Sequence, residues 1–188
     1  MEAALRLYLL AGLVAHKALW EFLRPRSGSP EPAARNRRQL LTKAAKLLIL
    51  AGLLAQTLGP DFLPIGGDPA ARRVLGVTIY TAGLLLAVLG RLQLGRNWSD
   101  IEAPQVRSQQ ALVATGIYRY IRHPIYVGDM MLLLGIELSL NSWLLAGALA
   151  LTPFVLRQAL REEAMLLNRL PGYQDYLQRT KRFIPFVV

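Results

Sequence analysis

Five apolar segments constrain the fold of this chain more than any other feature. They cover residues 3–22, 44–63, 74–94, 126–140 and 143–160 of the 188 residues. An α-helix needs about 20 mostly apolar residues to cross a bilayer. The fourth and fifth segments are divided only by Asn141 and Ser142, a dipeptide that suits a turn, so they predict a tight helical hairpin. We therefore expect an all-α, polytopic membrane protein with about five transmembrane helices.

The basic residues are distributed unequally between the two ends of these segments. The formal net charge is +10, and 18 of the 22 Lys and Arg residues lie between segments one and two, between three and four, after five, or at the segment ends that border these regions. The loop between segments two and three has only Arg72 and Arg73. Because cytoplasmic loops carry the excess of Lys and Arg, we expect the basic loop at residues 24–46 and the C-terminus in the cytoplasm. Topology thus explains the charge, and no nucleic-acid partner is expected.

The chain lacks the side chains from which most metal sites are built. It has no cysteine and only two histidines, His16 and His123. Disulfides, thiol catalysis and sulfur-ligated metal sites are therefore excluded, and an all-imidazole site is not expected. We predict no bound metal.

Two polar clusters lie at the cytoplasmic ends of segments four and five. GIYRYIRHPIYVGD, residues 116–129, leads into segment four, and RQALREE, residues 157–163, ends segment five. If the two segments form a hairpin, both clusters lie at one level and can enclose a pocket. Such a pocket would take a water-soluble cofactor from the cytoplasm and an apolar substrate from the bilayer. Neighbours on a helix are about 100° apart, so one residue of the Glu162–Glu163 pair can face inward and the other outward.

Five short strings mark the second half of the chain: LGRNWSD, QALVATG, GIYRYIRHPIYVG, REEAMLL and PGYQDYLQRTKRFIP. Together they resemble the isoprenylcysteine carboxyl methyltransferase family over residues 94–185. The resemblance implies an integral membrane enzyme that uses S-adenosylmethionine without a Rossmann domain. We accordingly divide the chain into N-terminal transmembrane helices, residues 1–93, and a methyltransferase-like catalytic half, residues 94–188, which ends in amphipathic helices.

The resemblance also implies roles for individual residues. The residues expected to hold the cofactor are Leu112, Val113, Tyr118, His123, Pro124, Ile125, Tyr126 and Glu162, and Arg122 or His123 could bind the carboxylate of the cofactor. Eukaryotic family members contact the substrate with an arginine at the position that is Gln158 here. Arg157 and Arg161 flank it. Since a guanidinium bonds both oxygens of a carboxylate, we predict that one of these two holds the acceptor and acts in catalysis together with Glu162.

The expected reaction is methyl transfer from S-adenosylmethionine to a lipophilic small molecule or prenylated substrate, with the carboxylate of an isoprenylcysteine-like molecule as the favoured acceptor. Three alternatives stay open. A phospholipid, amine or thiol methyltransferase would need a base, for which Glu162, Glu163 or Asp129 could serve. The others are a sterol-type membrane reductase that uses NADPH and a non-catalytic membrane protein.

The Leu-, Ala- and Arg-rich composition favours a bacterial inner membrane, with the active site on its cytoplasmic side.

Overall fold

The computed structural model describes residues 2–24, 37–98 and 111–186. Within these ranges the chain is helical, and its only β-type pairings are two isolated bridges. The α-helices of the described part are α1 (Glu2–Phe22), α2 (Arg37–Leu58), α3 (Ala70–Leu94), α4 (Pro124–Ser139), α5 (Leu144–Ala150), α6 (Thr152–Arg169) and α7 (Tyr173–Arg179). The predicted all-α fold is confirmed.

Four stretches among the described residues are long and apolar enough to cross a membrane. They are Glu2–Phe22, Leu40–Leu58, Ala70–Asn97 and Leu144–Arg169. Helix α4 is not among them, because it has 16 residues and its length is about 24 Å at 1.5 Å per residue. The predicted count of five membrane-spanning helices therefore stays a prediction.

The fifth apolar segment, predicted as one helix, is divided into α5 and α6 at Leu151. Pro153 follows this junction and has no backbone N–H, so the helical hydrogen bond to the carbonyl of Leu149 is missing. Asn141, with a φ of 54°, and Ser142 form the turn before α5. The most extensive helix contact in the described part is between α4 and α3, not between α4 and the segment that follows. The tight hairpin of segments four and five is thus not confirmed.

Helices α3 and α4 pack through their backbones because glycines face each other. A Cβ atom at Gly83 would lie 2.7 Å from the carbonyl oxygen of Gly128, and one at Gly128 would lie 2.7 Å from the carbonyl oxygen of Gly83. Further along α3, Gly90 faces Pro124 at the start of α4. The two helices therefore run antiparallel. Small residues allow this close approach between helices in a membrane.

Helix α1 is held against α3 and α4 by a buried tyrosine and an aliphatic core. The hydroxyl of Tyr80 donates to the carbonyl of Leu9 at 2.7 Å, and both residues are fully buried. The surrounding core consists of Leu9, Leu13, Leu53, Tyr80, Leu132, Ile136 and Leu140. Because α2 contributes Leu53, this core joins the first four helices of the described chain.

Polar contacts close the end of the bundle at which the α2–α3 and α4–α5 connections lie. Arg72 Nε donates to Asn141 Oδ1 at 2.7 Å, and Arg73 pairs with Glu2 at 2.7 Å. Arg6 Nη1 donates to the carbonyl of Gly59 at 2.7 Å. The basic residues Arg6, Arg72 and Arg73 at this end are thus used in local contacts.

Reporter fusions test the predicted orientation. Fusions after Arg38 and after Val188 should read cytoplasmic, and a fusion after Gly66 should read external, because the excess of Lys and Arg marks the cytoplasmic side. The measurement compares alkaline phosphatase activity with green fluorescent protein fluorescence at each point. A phosphatase-active, non-fluorescent fusion after Arg38 or Val188 would contradict the five-span orientation.

Candidate functional site

The 3₁₀ turn Gly116–Arg119 fixes the approach to the histidine–proline motif. Gly116 has a φ of 59°, in the left-handed region that favours glycine. Tyr118 is buried, and its hydroxyl donates to the carbonyl of Gly90 in α3 at 3.2 Å. Its own carbonyl accepts a hydrogen bond of 2.7 Å from the hydroxyl of Tyr176 in α7. The turn is therefore held from two sides before α4 begins.

The C-terminal segment runs beside residues 120–123 and fixes the histidine. The amide of Arg122 donates to the carbonyl of Lys181 at 2.8 Å, and the amide of His123 donates to the carbonyl of Arg182 at 3.2 Å. These bonds lie next to the isolated bridge between Ile121 and Lys181. The chain end thus positions the residue that directly precedes α4.

Glu163 lies at the centre of a buried ionic cluster. Its carboxylate accepts from Arg122 Nε at 2.9 Å and from Arg182 Nη2 at 2.7 Å, and His123 Nε2 lies 3.1 Å away. Arg122 also donates to the carbonyl of Thr180. The side chains of Glu163 and Arg122 are only 7% and 8% exposed. Glu163 therefore faces protein groups and joins α6 to the histidine–proline motif and to the C-terminal segment.

Glu162 has a different environment, although it is the next residue. Its Oε2 accepts a hydrogen bond of 2.7 Å from the hydroxyl of Tyr126 and lies 3.9 Å from His123 Nδ1. The His123 and Tyr126 rings are stacked, with centroids 5.2 Å apart and planes 6° apart. His123 consequently stands between the two carboxylates, with one ring nitrogen toward each.

A cavity of about 600 Å³ opens beside Glu162, His123 and Tyr126. This volume lies in the range of about 300–1,000 Å³ that is usual for small-molecule sites. Apolar side chains line much of the remaining wall, among them Leu13, Leu47, Leu50, Leu53, Leu133 and Leu166. The cavity therefore brings a polar wall and an aliphatic wall together. Within the described residues, no three His, Asp or Glu side chains are close enough to hold a metal ion.

The cavity collects most of the residues expected to bind a cofactor. Those that line it are Leu112, Val113, Tyr118, Arg122, His123, Ile125, Tyr126 and Glu162. Pro124 is fully buried and packs against Gly90 instead. Arg122 reaches the cavity wall, but its guanidinium is bonded to Glu163 and the C-terminal segment.

The two arginines expected to hold an acceptor lie elsewhere. Arg157 and Arg161 are exposed, and neither is among the residues that line the cavity. The reason is the orientation of α6, which buries the face that carries Gln158 and Ala159, so that these arginines point outward. Their predicted catalytic role stays a prediction.

Helices α1 and α2 contribute polar residues that the motif did not predict. His16, Trp20 and Lys46 line the cavity, as does Asp129 of α4. The sequence did contain an indication that α1 carries functional polar residues, because His16, Lys17 and Glu21 interrupt the first apolar segment. Which of them would face the cavity depends on the packing of α1 against α4, which no local pattern encodes.

Three buried tyrosines outside the membrane-spanning segments contribute neutral phenols to the polar wall. Burial raises the pKa of Tyr176 to about 12 and raises the pKa values of Tyr118 and Tyr173 well above the usual range of a phenol. All three phenols are therefore neutral at physiological pH. Their ring faces can attract a cation through the negative potential of the π system.

A family model, described as PEMT, phospholipid methyltransferase, matches residues 71–171. The chain is also similar to a protein-S-isoprenylcysteine O-methyltransferase of Schizosaccharomyces pombe, with 32% identity over 108 residues, 56% of this chain and 46% of the relative. A nickel-cobalt-cadmium resistance protein, NccN, of Alcaligenes xylosoxydans xylosoxydans is 34% identical over 111 residues, 58% of this chain and 49% of the relative. The chain spans about half the length of these curated relatives.

The fold is also found among solved structures. The eukaryotic intramembrane Ras methyltransferase ICMT superposes with a TM-score of 0.63 and 24% sequence identity, covering 97% of this chain and 68% of the other. With the membrane-length helices of the described part, this likeness supports an integral membrane protein. The resemblance to isoprenylcysteine carboxyl methyltransferases is confirmed by these relatives. Since the match at residues 71–171 includes more than half of the sequence, the chain belongs to the phospholipid methyltransferase family.

Proposed function

We propose that this protein is an integral membrane methyltransferase that moves a methyl group from S-adenosylmethionine to a lipophilic acceptor. The observation that carries the proposal is a cavity in which Glu162, His123 and Tyr126 face an aliphatic wall from α1 and α2. A polar cofactor and an apolar acceptor can meet there. The family and the names of the relatives support methyl transfer.

The residues of the polar wall fit this cofactor. Glu162 is a carboxylate that can accept hydrogen bonds from ribose hydroxyls, and the rings of Tyr118 and Tyr126 can lie beside a cation. Lys43 and Lys46 also line the cavity and can bind a carboxylate. The cofactor, when bound, supplies a methyl group already activated on a sulfonium. The task of the protein is therefore to align the reactants and to exclude water.

The acceptor is proposed to lie along the aliphatic wall. The favoured acceptor is the carboxylate of an isoprenylcysteine-like molecule, which the name of the Schizosaccharomyces pombe relative supports. A clamp by Arg157 or Arg161 has no support from their exposed positions. A phospholipid amine is the second candidate, and the description of the family supports it.

The proposed setting is a bacterial inner membrane with the cavity open to the cytoplasm. The support is the charge distribution and the similarity to a bacterial relative. The division into residues 1–93 and 94–188 is kept as part of the proposal. In this division the cavity is shared, because α1 and α2 line it together with α4 and α6.

Cofactor binding tests the proposed function directly. S-adenosylmethionine should raise the thermal unfolding temperature of the detergent-purified protein, and NADPH should leave it unchanged. The opposite result would favour the sterol-type reductase, and no response to either would favour a non-catalytic protein. Transfer of tritium from methyl-labelled S-adenosylmethionine into a membrane extract, with identification of the labelled product, then defines the acceptor.

Replacing Glu162 by Gln should weaken S-adenosylmethionine binding by roughly 10- to 150-fold, because a charge-assisted hydrogen bond contributes about 1.5–3 kcal/mol. Isothermal titration calorimetry measures the affinity. Asp175→Asn is the matched control, since Asp175 is an exposed carboxylate of α7 that does not line the cavity. Equal affinities of wild type and Glu162→Gln would remove Glu162 from the cofactor site.

A further inference from the structure

A histidine–aspartate pair lies in the cavity apart from the motif residues. His16 Nε2 of α1 is 3.0 Å from Asp129 Oδ1 of α4, and both side chains line the cavity. The His16 ring stacks on Trp20, with centroids 3.9 Å apart and planes 24° apart. The side chains of His16 and Asp129 are 21% and 42% exposed. His16 belongs to a helix outside residues 71–171, which the family model matches.

The geometry of this pair sets which ring nitrogen of His16 is available. The carboxylate of Asp129 accepts a hydrogen bond, so Nε2 of His16 carries the proton of that bond. In the neutral ring, Nδ1 then has the free lone pair, and the stacked indole of Trp20 restrains the ring orientation. An aspartate that orients a histidine in this way makes it a general base. The carboxylate of Asp129 also stabilises the imidazolium that forms when His16 takes up a proton, which makes His16 a stronger base.

The His16–Asp129 pair also lies close to the part of the cavity where methyl transfer is expected. Asp129 lies one helical turn beyond Tyr126, which donates to Glu162. His16 and Asp129 therefore stand next to the polar wall, on the side where α1 and α2 supply apolar side chains such as Leu13 and Leu53. An acceptor that lies along this apolar wall presents its reactive atom near both groups.

We propose that His16 is a general base, positioned by Asp129, and that the acceptor is a lipophilic molecule whose nucleophilic atom carries a proton. This inference rests on the proposed methyltransferase function. It selects an acceptor that carries a proton, such as the phospholipid amine, over the carboxylate that the name of the Schizosaccharomyces pombe relative favours. A carboxylate is ionised at neutral pH and needs no base, whereas a phenol or an amine has to lose a proton. Arg157 and Arg161, the two arginines expected to hold a carboxylate acceptor, are exposed and do not line the cavity.

The proposed step balances without a further reactant. The acceptor atom forms the new bond to the methyl carbon with its lone pair. The bond between methyl carbon and sulfur breaks, and its electron pair stays on sulfur as a neutral thioether. His16 takes the proton of the acceptor at Nδ1 and later releases it to water. Asp129 stays ionised and stabilises the imidazolium that forms.

Other charged groups share the cavity and affect the pH dependence of this step. They are Lys17, Glu21, Arg24, Lys43, Lys46, Arg122, His123 and Glu162. Lys17 pairs with Glu21 at 2.7 Å. His123 also lies in the cavity wall, and its Nε2 is 3.1 Å from Glu163 Oε1. A pH profile therefore has to be compared between variants of His16 and the wild type.

The experiment uses the full chain in lipid nanodiscs with methyl-labelled S-adenosylmethionine. The probes are 4-dodecylphenol, phosphatidylethanolamine vesicles and S-farnesylthioacetic acid, which present a phenol, an amine and a carboxylate. Turnover with the phenol or the amine should exceed that with the carboxylate. His16→Gln and Asp129→Asn should lower this turnover by about 10²- to 10⁴-fold, while calorimetry with S-adenosylhomocysteine gives an unchanged affinity.

His16→Gln is informative because its side-chain amide can still donate to Asp129 but cannot take a proton. The wild-type rate should fall at low pH, because a protonated imidazole cannot take up a second proton, and this fall should be absent in His16→Gln. Tyr8→Phe is the matched control, since it removes another hydrogen bond of α1, the 2.6 Å contact with Thr81. It should leave both turnover and pH profile unchanged.

Two results would overturn the inference: methylation of the carboxylate probe alone, or full turnover of both variants with the phenol and the amine. Equal losses in Tyr8→Phe and His16→Gln would also overturn it, because the loss would then reflect the packing of α1. Failure of the proposed function looks different. In that case the wild-type protein itself does not bind S-adenosylhomocysteine.

Discussion

Glu163→Gln is expected to destabilise the protein by about 3–5 kcal/mol, the usual cost of leaving a buried charge without its partner. Glu163 is bonded to two guanidinium groups, at 2.9 Å from Arg122 and 2.7 Å from Arg182. The substitution leaves both positive charges without a counter-charge. His123 also loses the carboxylate at its Nε2. We therefore expect the contact between α6 and the C-terminal segment to loosen first.

Thermal unfolding in detergent, followed by circular dichroism, measures this effect. Glu162→Gln is the matched control, because it makes the same chemical change one residue away. The Glu162 side chain is 28% exposed, and its carboxylate has no guanidinium partner among the ion pairs of the described residues. Its unfolding temperature should stay near that of the wild type. The two variants should therefore separate, with Glu163→Gln affecting mainly stability and Glu162→Gln affecting mainly cofactor affinity.

An opposite pattern would reverse the assignment within the acid pair. If Glu163→Gln unfolds at the wild-type temperature and loses S-adenosylmethionine binding, Glu163 is the cofactor ligand. Since an unstable variant can lose binding indirectly, the calorimetry has to be done well below its unfolding temperature. Arg182→Gln offers a further comparison, because it removes one positive partner of Glu163 from the C-terminal segment and should destabilise the protein without a direct effect on the cavity.

The helices were predictable from the apolar segments, whereas their ends were less so. Segment two was expected at residues 44–63, but α2 covers Arg37–Leu58. Its polar first turn is helical although it is not apolar, and Gly59 and Pro60 end it before the apolar run is complete. The hydropathy of a segment indicates whether its side chains are stable in the bilayer, but it does not indicate where a helix begins or ends. Helix ends depend on backbone groups that hydropathy does not describe.

The candidate site was predictable where neighbours in sequence are neighbours in space. The stretch around His123 and Tyr126 lines the cavity because it is continuous and ends in the first turns of α4. The buried position of Glu163 was not predictable, because its partner Arg182 is brought to it by the C-terminal segment. His16 was missed for the same reason, since its partner Asp129 lies 113 residues away.

The other large effect is expected for Gly135→Leu. This substitution should lower the free energy of unfolding by at least about 3 kcal/mol, which is the upper end of the usual loss on overpacking. Even a Cβ atom at this position would lie 2.6 Å from the Cα of Tyr80 and 2.8 Å from the carbonyl oxygen of Gly76. Both contacts are with backbone, which cannot rotate away. The whole of α4 would have to move from α3, and the contact of Tyr80 with Leu9 of α1 would be strained.

Alanine substitutions at two glycines isolate this effect from helix propensity. Gly135→Ala should lower the unfolding temperature because of the same backbone contacts. Gly52→Ala should leave it unchanged or raise it, because no heavy atom lies within 4 Å of a Cβ at Gly52 apart from its chain neighbours and the nearby backbone of its own helix, and alanine favours a helix over glycine by about 1 kcal/mol. Glycine-to-alanine substitution should thus lower the unfolding temperature in α4 and leave it unchanged or raise it in α2. A Gly135→Ala protein as stable as the wild type would mean that α3 and α4 do not pack through their backbones. The placement of Asp129 and Tyr126 against the cavity would then need another cause.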